Sequence, residues 1–255
     1  MPATYAHYRF GKQVLPALSA DVRQCIQRFR RMYDAGLQGP DIFFYHNYFT
    51  MTPVRELGNS IHRQKGTEFF ARACAGADSE AAQAYLYGLL AHYCLDSACH
   101  PFINQMQTIG EARHIALEAE FERHLLQKDG LVPPHTQDLS GRIKLTRGEC
   151  MTVAAFYPEA SGADISRCTK GMAFALKFFS GPNREKRARL LRKLKPDLLE
   201  HMVPAEPVED YAFMVGELQD AYEQAAKTFP LLLAGLRNHQ KNGEPLGEGF
   251  EAVFG

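Results

Sequence analysis

The stretch HYCLDSACHP, residues 92–101, places His92, Asp96 and His100 four residues apart and closes with Pro101. On an α-helix, residues four apart lie one turn above one another, so these three side chains would form a polar ladder on one face. The preceding segment AAQAYLYGLLA, residues 81–91, is apolar on almost every side, which predicts that the ladder points into a core. Buried polar groups need partners, and a metal ion is one candidate partner.

The composition is that of an ordinary globular protein, with 45% hydrophobic and 23% charged residues in a chain of 255. Basic and acidic residues balance at 29 each, which argues against double-stranded nucleic acid as a partner. No stretch approaches the roughly 18 apolar residues of a transmembrane segment, and no secretory leader is recognisable. The six cysteines contain no CxxC pair, so we expect free thiols and a cytoplasmic location.

Helical periods dominate the chain, and β-branched alternation is almost absent. The first predicted helix begins at a Ser19 cap and ends near Gly36, the second runs from a Ser79 cap to Pro101, and the third ends at Gly130. Further helical runs are predicted at about 161–180, 183–195 and 208–237. Because apolar stripes continue on both sides of the loop GLVPPHTQDLSG, we predict one all-α domain over residues 1–255, a helical bundle with its metal site in the core.

The third predicted helix supplies a second ladder, because His114 and Glu118 are also four residues apart on its apolar face. A single core histidine is more often hydrogen-bonded than metal-bound, but five convergent ligands on two helices favour a divalent metal ion. Imidazole and carboxylate ligands without thiolate pairs suit a catalytic zinc ion with an open position.

The pattern H-x-x-x-D…H-P, followed by H-x-x-x-E on the next helix, resembles the bacterial zinc-dependent phospholipase C family. That family is all-α and is related in fold to the single-strand-specific zinc nucleases. Its earlier positions match His7 in TYAHYRFG, Asp41 in QGPDIFFYH and His62 in LGNSIHRQK, so the resemblance covers roughly residues 1–130. The toxin members carry a C-terminal β-sandwich that has no counterpart here. The spacing from Asp96 to His100 is shorter than in the secreted members, so we expect the helix to end differently.

The resemblance implies a multi-zinc site and assigns its ligands. One zinc ion would be held by Asp41, His62, His92 and Asp96. A second would be held by His100, His114 and Glu118. A third site would use His7, Asp96 and the main-chain amine of Met1. Asp41 would also be the catalytic residue that orients or deprotonates the nucleophile.

The predicted activity is phospholipase C-like hydrolysis of a phospholipid or a related phosphodiester by a metal-bridging hydroxide, since neighbouring zinc ions make water acidic enough to ionise near pH 7. Two alternatives stay open. One is a zinc-dependent nuclease or other phosphoesterase on the same fold, which an aromatic slot beside the site would favour. The other is a non-catalytic zinc-binding protein, which a closed site with four protein ligands per metal ion would favour.

Other residues invite a functional interpretation. The stretch REKRARLLRKLK, residues 184–195, has seven basic residues and would suit peripheral contact with phospholipid headgroups. We instead expect a solvated helix face over a core stripe, which comprises Leu190, Leu191, Leu194 and Leu198. Cys94 and Cys99 are predicted to be small core residues. His46 is predicted to lie at the surface.

Overall fold

The computed structural model describes residues 4–47, 50–181 and 183–255. Within these ranges the chain is helical and has no β-strand, apart from one isolated antiparallel bridge between Lys65 and Val253. The predicted all-α class is therefore confirmed. The α-helices are α1 (Thr4–Val14), α2 (Ala20–Arg28), α3 (Arg30–Gly36), α4 (Pro53–His62), α5 (Gly66–Ala73), α6 (Glu80–Thr108), α7 (His114–Lys128), α8 (Arg147–Ala154), α9 (Gly162–Phe179), α10 (Arg184–Leu194) and α11 (Ala212–Asn242). None of the helices in the described ranges is long and apolar enough to cross a membrane.

Helix α6 is the central element and packs against α1, α2, α3, α7, α8 and α11. Its closest approach is to α3. A Cβ atom on Gly36 would lie 2.2 Å from the carbonyl oxygen of Tyr85, and one on Gly88 would lie 2.2 Å from that of Tyr33. Only glycine allows two helix backbones to come this close. The surrounding helices bury α6 on almost every side, as its apolar sequence before His92 predicts.

Several predicted helix ends are found where the sequence places them. Ser79 Oγ accepts a hydrogen bond from Ala82 N at the start of α6, and Gly130, at φ 73°, follows α7. Ser19 precedes α2, although its side chain makes no capping hydrogen bond. The first predicted helix is instead two helices, α2 and α3, because Phe29 leaves the helical conformation between them (φ −116°, ψ 43°).

The predicted end of the second helix at Pro101 is wrong, because α6 continues to Thr108. A proline inside a helix removes one backbone donor and costs about 3 kcal/mol. Beyond the proline, α6 buries Ile103 and Met106, and the burial of two such side chains is of the size needed to offset that cost. His100 therefore stays on the helix that carries the rest of its ladder.

The basic stretch forms α10, and its predicted core stripe is wrong in two positions. Leu191 is buried in a small apolar cluster with Ala188 and Met202, whereas Leu190 and Leu194 are exposed. The reason is that α10 packs along one edge only, against the end of α9 and the 3₁₀ turn Pro196–His201. A helix with one covered edge cannot bury leucines that lie around its circumference.

The C-terminal segment, residues 247–255, runs back over the core. Phe250 and Phe254 are buried, and Gly66 N donates a hydrogen bond to the carbonyl oxygen of Ala252 at 2.9 Å. Tyr93 Oη, on α6, donates to the carbonyl oxygen of the same alanine at 3.0 Å. The segment is thereby attached to α5 and α6, next to the polar ladder.

Candidate metal centre

The ladder on α6 points into the molecule as predicted. The side chains of His92, Asp96 and His100 are all buried, although histidine and aspartate are mostly exposed or intermediate in folded proteins. The helical spacing stacks them one turn apart, and they reach side chains from α1, α4, α7 and the 3₁₀ turn Gly39–Tyr45. These partners divide into two sets of residues that could hold a metal ion.

The first set is the four-residue group, which consists of Asp41, His62, His92 and Asp96. One ligand atom from each residue lies within 4.8 Å of the others. His62 Nε2 is 3.0 Å from Asp41 Oδ1, and His92 Nε2 is 3.0 Å from Asp96 Oδ2. The four side chains come from three separate elements, so the tertiary fold brings the group together.

Gly39 explains how the turn that carries Asp41 reaches this group. Its φ of 47° lies in the left-handed region, and a Cβ atom there would lie 2.5 Å from the His92 ring. Any other residue would be strained and would collide with the imidazole. The glycine thus lets the turn lie directly against α6.

Three of the imidazoles are oriented by the backbone. Each donates from Nδ1 to a carbonyl oxygen: His62 to Gly58 at 2.7 Å, His92 to Leu37 at 3.2 Å and His100 to Asp96 at 3.2 Å. Because a carbonyl oxygen only accepts, Nδ1 carries the proton, and in the neutral ring Nε2 presents a lone pair. Each of these lone pairs is directed at a carboxylate, an arrangement that is repulsive until a proton or a metal ion lies between the two atoms. Metal-binding histidines in proteins are commonly fixed in this way.

Asp96 connects the four-residue group to its surroundings through both carboxylate oxygens. Oδ2 faces His92, whereas Oδ1 lies 3.2 Å from His7 Nε2 and 3.7 Å from His100 Nδ1. The His7 and His92 rings stack with centroids 4.3 Å apart. The predicted third site therefore has His7 and Asp96 in contact, while Met1, its remaining predicted ligand, lies outside the described residues.

The second set is the three-residue group, which consists of His100, His114 and Glu118. Glu118 Oε1 lies 3.5 Å from His100 Nε2 and 3.3 Å from His114 Nε2. The ligand atoms again lie within 4.8 Å of one another. This group is more open than the first, because 27% of the His114 side chain is exposed.

The charges in the centre are set by their neighbours. Burial alone would raise the pKa of the Asp96 carboxyl, but the imidazoles of His92, His100 and His7 hold it well below its usual range. Burial would likewise raise the pKa of Asp41, but the imidazoles of His62 and His92 together lower it. Both carboxyl groups are therefore anionic at neutral pH, the state in which a carboxylate binds a metal ion.

Sequence reasoning missed Glu122, although it lies one helical turn beyond Glu118. It is 1% exposed, its Oε1 accepts a hydrogen bond from Tyr5 N at 3.1 Å, and its Oε2 has no partner among the described residues. Burial raises the pKa of its carboxyl to about 8. Glu122 lines a small cavity of about 40 Å³, together with His135 and His201. Continuing the four-residue spacing along α7 would have found it.

Two further sequence predictions have clear outcomes. His46 is buried, so its predicted surface position is wrong: its Nδ1 lies 3.0 Å from Thr52 Oγ1, and its Nε2 lies 3.0 Å from an Arg167 nitrogen. Cys94 and Cys99 are buried free thiols, as predicted. Burial raises the pKa of the Cys94 thiol to about 12, so it is not poised to act as a thiolate ligand.

The C-terminal segment covers one side of the centre. The Phe254 ring lies 6.4 Å from the rings of both His62 and His92, and Gly255 N donates a hydrogen bond to the carbonyl oxygen of His62 at 3.1 Å. A Cβ atom on Gly255 would lie 2.6 Å from His100 Nδ1. No pattern in the first 130 residues indicates this contact.

The structure thus brings together all of the predicted ligands that it describes, from His7 to Glu118, around a single helix. No family model, no curated protein and no solved structure matches the chain. Assignment of a function therefore depends on the chemistry of these buried side chains.

Proposed function

We propose that the chain is a zinc-dependent phosphodiesterase of the phospholipase C type, which hydrolyses a phospholipid or a related phosphodiester. The observation that supports this most directly is the orientation of the buried imidazoles. Three of them are held by backbone carbonyl groups so that Nε2 is directed at a carboxylate. A buried pair of this kind is satisfied by a divalent cation, and nitrogen with oxygen donors suits zinc.

The two groups divide the metal-binding roles in this proposal. The four-residue group would hold one ion and the three-residue group would hold a second. Asp96 presents one oxygen to the first group and the other to His7, which gives it the geometry of a bridging ligand to a third ion. Two features fit these roles. Asp96 and Asp41 are anionic, and the histidine rings are held at Nδ1 by backbone carbonyl groups while Nε2 faces a carboxylate.

Zinc, when bound, supplies a Lewis acid for phosphoryl oxygens and makes water acidic enough to ionise near pH 7. The remaining chemistry belongs to the protein. Asp41 is ionised at neutral pH, because the imidazoles of His62 and His92 together lower its pKa, and as a carboxylate it can accept the proton of the attacking water. Its Oδ1 faces His62 Nε2 at 3.0 Å, so Oδ2 is the atom assigned to that proton.

The side from which a substrate would reach the centre is marked by His114, the most exposed of the proposed ligands. His114 lines a surface cleft of about 430 Å³ together with Arg113, Glu200 and Tyr211. A phosphodiester that enters this cleft would meet the three-residue group first.

A second candidate function, a single-strand-specific nuclease, is supported by Phe44. Its partly exposed ring lies 5.2 Å from the His62 ring, at the edge of the four-residue group. Aromatic side chains in such positions stack nucleobases in proteins that bind single strands. The two functions share the metal chemistry and differ in the substrate.

The experiment that tests the proposal begins with elemental analysis of protein purified without chelators. We expect at least two zinc ions per chain. The same protein is then assayed on a p-nitrophenyl phosphodiester, on phosphatidylcholine and on a single-stranded oligonucleotide. Hydrolysis of phosphatidylcholine supports the first function, and preference for the oligonucleotide supports the second. Zinc content below one equivalent after zinc is added back would refute both functions.

Asp41→Asn tests the catalytic role of Asp41, and its zinc content is measured in parallel because Asp41 is also a proposed ligand. We expect turnover to fall by at least about 100-fold, because the amide cannot accept the proton. Asp138→Asn, at an exposed carboxylate away from the centre, is the matched control and should retain full turnover. A zinc-loaded protein that is inactive on every substrate would instead support a non-catalytic zinc-binding protein.

A further inference from the structure

Helix α10 presents an apolar pair to solvent. Leu190 is 56% exposed and Leu194 is 66% exposed, and their spacing of four residues places them side by side on one face. The adjacent face of α10 is anchored by Ala188 and Leu191, which are buried with Met202. Two neighbouring exposed leucines on one helix are not explained by the packing of the described residues.

The neighbouring helix α9 carries a further exposed aromatic side chain. Phe174 is 66% exposed and stacks on Phe178, with ring centroids 5.9 Å apart. The Arg187 guanidinium of α10 lies 5.5 Å from the Phe178 ring centroid, so the two helices meet here. We call the face formed by Phe174, Phe178, Leu190 and Leu194, with the basic side chains around it, the α9–α10 surface.

Basic side chains surround the apolar face. The segment 184–195 has seven basic residues and one acidic residue, although the whole chain has a formal net charge of zero. Among the described residues, no ion pair is formed by Lys186, Arg189, Arg192, Lys193 or Lys195. Lys170 and Lys177 are exposed on α9 within one turn of Phe174. The positive charge is therefore local and unneutralised.

Exposed apolar side chains surrounded by positive charge suit a membrane surface better than a nucleic acid. Helices that lie on a membrane bury leucine and phenylalanine at the boundary between headgroups and acyl chains, while lysine and arginine contact anionic headgroups. A nucleic acid backbone would use the positive charge but not the exposed leucines. No described helix can cross a bilayer, so the contact would be peripheral.

We propose that the α9–α10 surface docks on bilayers that contain anionic phospholipid. Leu190, Leu194 and Phe174 insert at the interface, and Lys186 and Lys193 bind the headgroups. The inference does not depend on the proposed function, because none of these residues belongs to the metal centre.

Co-sedimentation with vesicles tests the proposal on the full chain. We expect binding to vesicles of phosphatidylcholine with phosphatidylserine, and much weaker binding to phosphatidylcholine alone. The variant Leu190→Ser/Leu194→Ser should bind at least about tenfold more weakly, because it removes apolar insertion. The variant Lys186→Gln/Lys193→Gln should bind the vesicles about tenfold more weakly, since each positive charge near an anionic surface contributes to binding.

Helix α11 supplies controls with two exposed apolar side chains and two exposed lysines. Phe213→Ser/Leu231→Ser changes two side chains that are 70% and 75% exposed, and Lys227→Gln/Lys241→Gln removes two exposed charges. These variants should bind vesicles like the original protein. Because all of the substituted residues are exposed, melting temperatures should change little in every variant.

Three results would overturn the proposal. The first is no binding to vesicles with phosphatidylserine. The second is a loss of vesicle binding in the α11 control variants equal to that in the α10 variants, which would show that binding is nonspecific. The third is binding to a DNA oligonucleotide that displaces the vesicles and is unchanged in Leu190→Ser/Leu194→Ser, which would assign the surface to nucleic acid.

Discussion

The four-residue group and the three-residue group share helix α6 but are enclosed differently. The four-residue group draws on three elements, is covered by the C-terminal segment, and has both of its rings fixed by backbone carbonyl groups, whereas in the three-residue group only His100 is fixed in this way. The three-residue group draws on α6 and α7 alone, and His114 is partly exposed. Structural zinc sites are closed by four protein ligands, whereas catalytic sites keep a position open. Within one centre, the four-residue group is the more enclosed and the three-residue group the more exposed, so we expect an ion in the second group to exchange faster.

The largest expected effect comes from Asp96→Ala, which would remove the residue shared by the four-residue group and His7. We expect the loss of at least one zinc equivalent, a melting temperature about 10 °C lower, and activity reduced by at least about 100-fold. Elemental analysis, thermal unfolding and the phosphodiester assay measure these effects. Glu120→Gln is the control, because Glu120 is a buried carboxylate that pairs with Arg123 away from the centre. It should lower stability and leave the zinc content unchanged. If Asp96→Ala kept its full zinc content and activity, the proposed bridging role of Asp96 would be refuted.

A smaller effect should separate the two groups. His114→Ala should lose one zinc ion and most of the activity, while the melting temperature falls by only about 3 °C, because the ring is already partly exposed. His92→Ala should lower the melting temperature by about 10 °C, because its ring is fully buried and stacked on His7. Timed dialysis against a chelator should release one ion rapidly and the other slowly from the original protein. Release of both ions at one rate would show that the groups are not distinct.

The smallest effect on activity and zinc content concerns Glu122, and it tests whether the three-residue group has a fourth ligand one turn away. Burial raises the pKa of this carboxyl to about 8 from an ordinary value of 4.5. Between these values the folded chain holds one proton more than the unfolded chain, so the free energy of unfolding decreases as the pH rises. Glu122→Gln cannot ionise, and it should raise the melting temperature at pH 8 by about 5 °C and leave it nearly unchanged at pH 4.5. Its zinc content should stay complete. A lost zinc equivalent would make Glu122 a ligand.

Helical spacing was enough to predict the ladders on α6 and α7, because residues four apart must share a face once the segment is helical. His7, Asp41 and His62 could be selected only through the family resemblance, since nothing local to them marks a ligand. Their approach to α6 depends on tertiary packing, such as the contact of Gly39 with the His92 ring. Local sequence rules do not encode contacts of this kind.

The wrong predictions share the same physical origin. The rule that a proline ends a helix predicts that α6 stops at Pro101, but the burial of Ile103 and Met106 beyond the proline offsets the lost hydrogen bond. The leucine spacing predicts that Leu190 and Leu194 are buried, but they are exposed because the neighbouring elements cover one edge of α10. His46 looked like a loop residue, and its contacts with Thr52 and Arg167 bury it. In each case burial depends on whether another part of the fold covers the residue, which a local sequence pattern does not show.

The position of Gly255 has a practical consequence for the handling of the protein. Its backbone N–H is hydrogen-bonded to the carbonyl oxygen of His62 and lies against the His100 ring, so a peptide appended after it would begin beside the candidate metal ligands. A polyhistidine affinity tag at that end would place competing imidazoles next to the centre and distort both zinc stoichiometry and chelator kinetics. An internal tag in an exposed turn, such as the one around Gly141, would keep the purification handle away from the measurement.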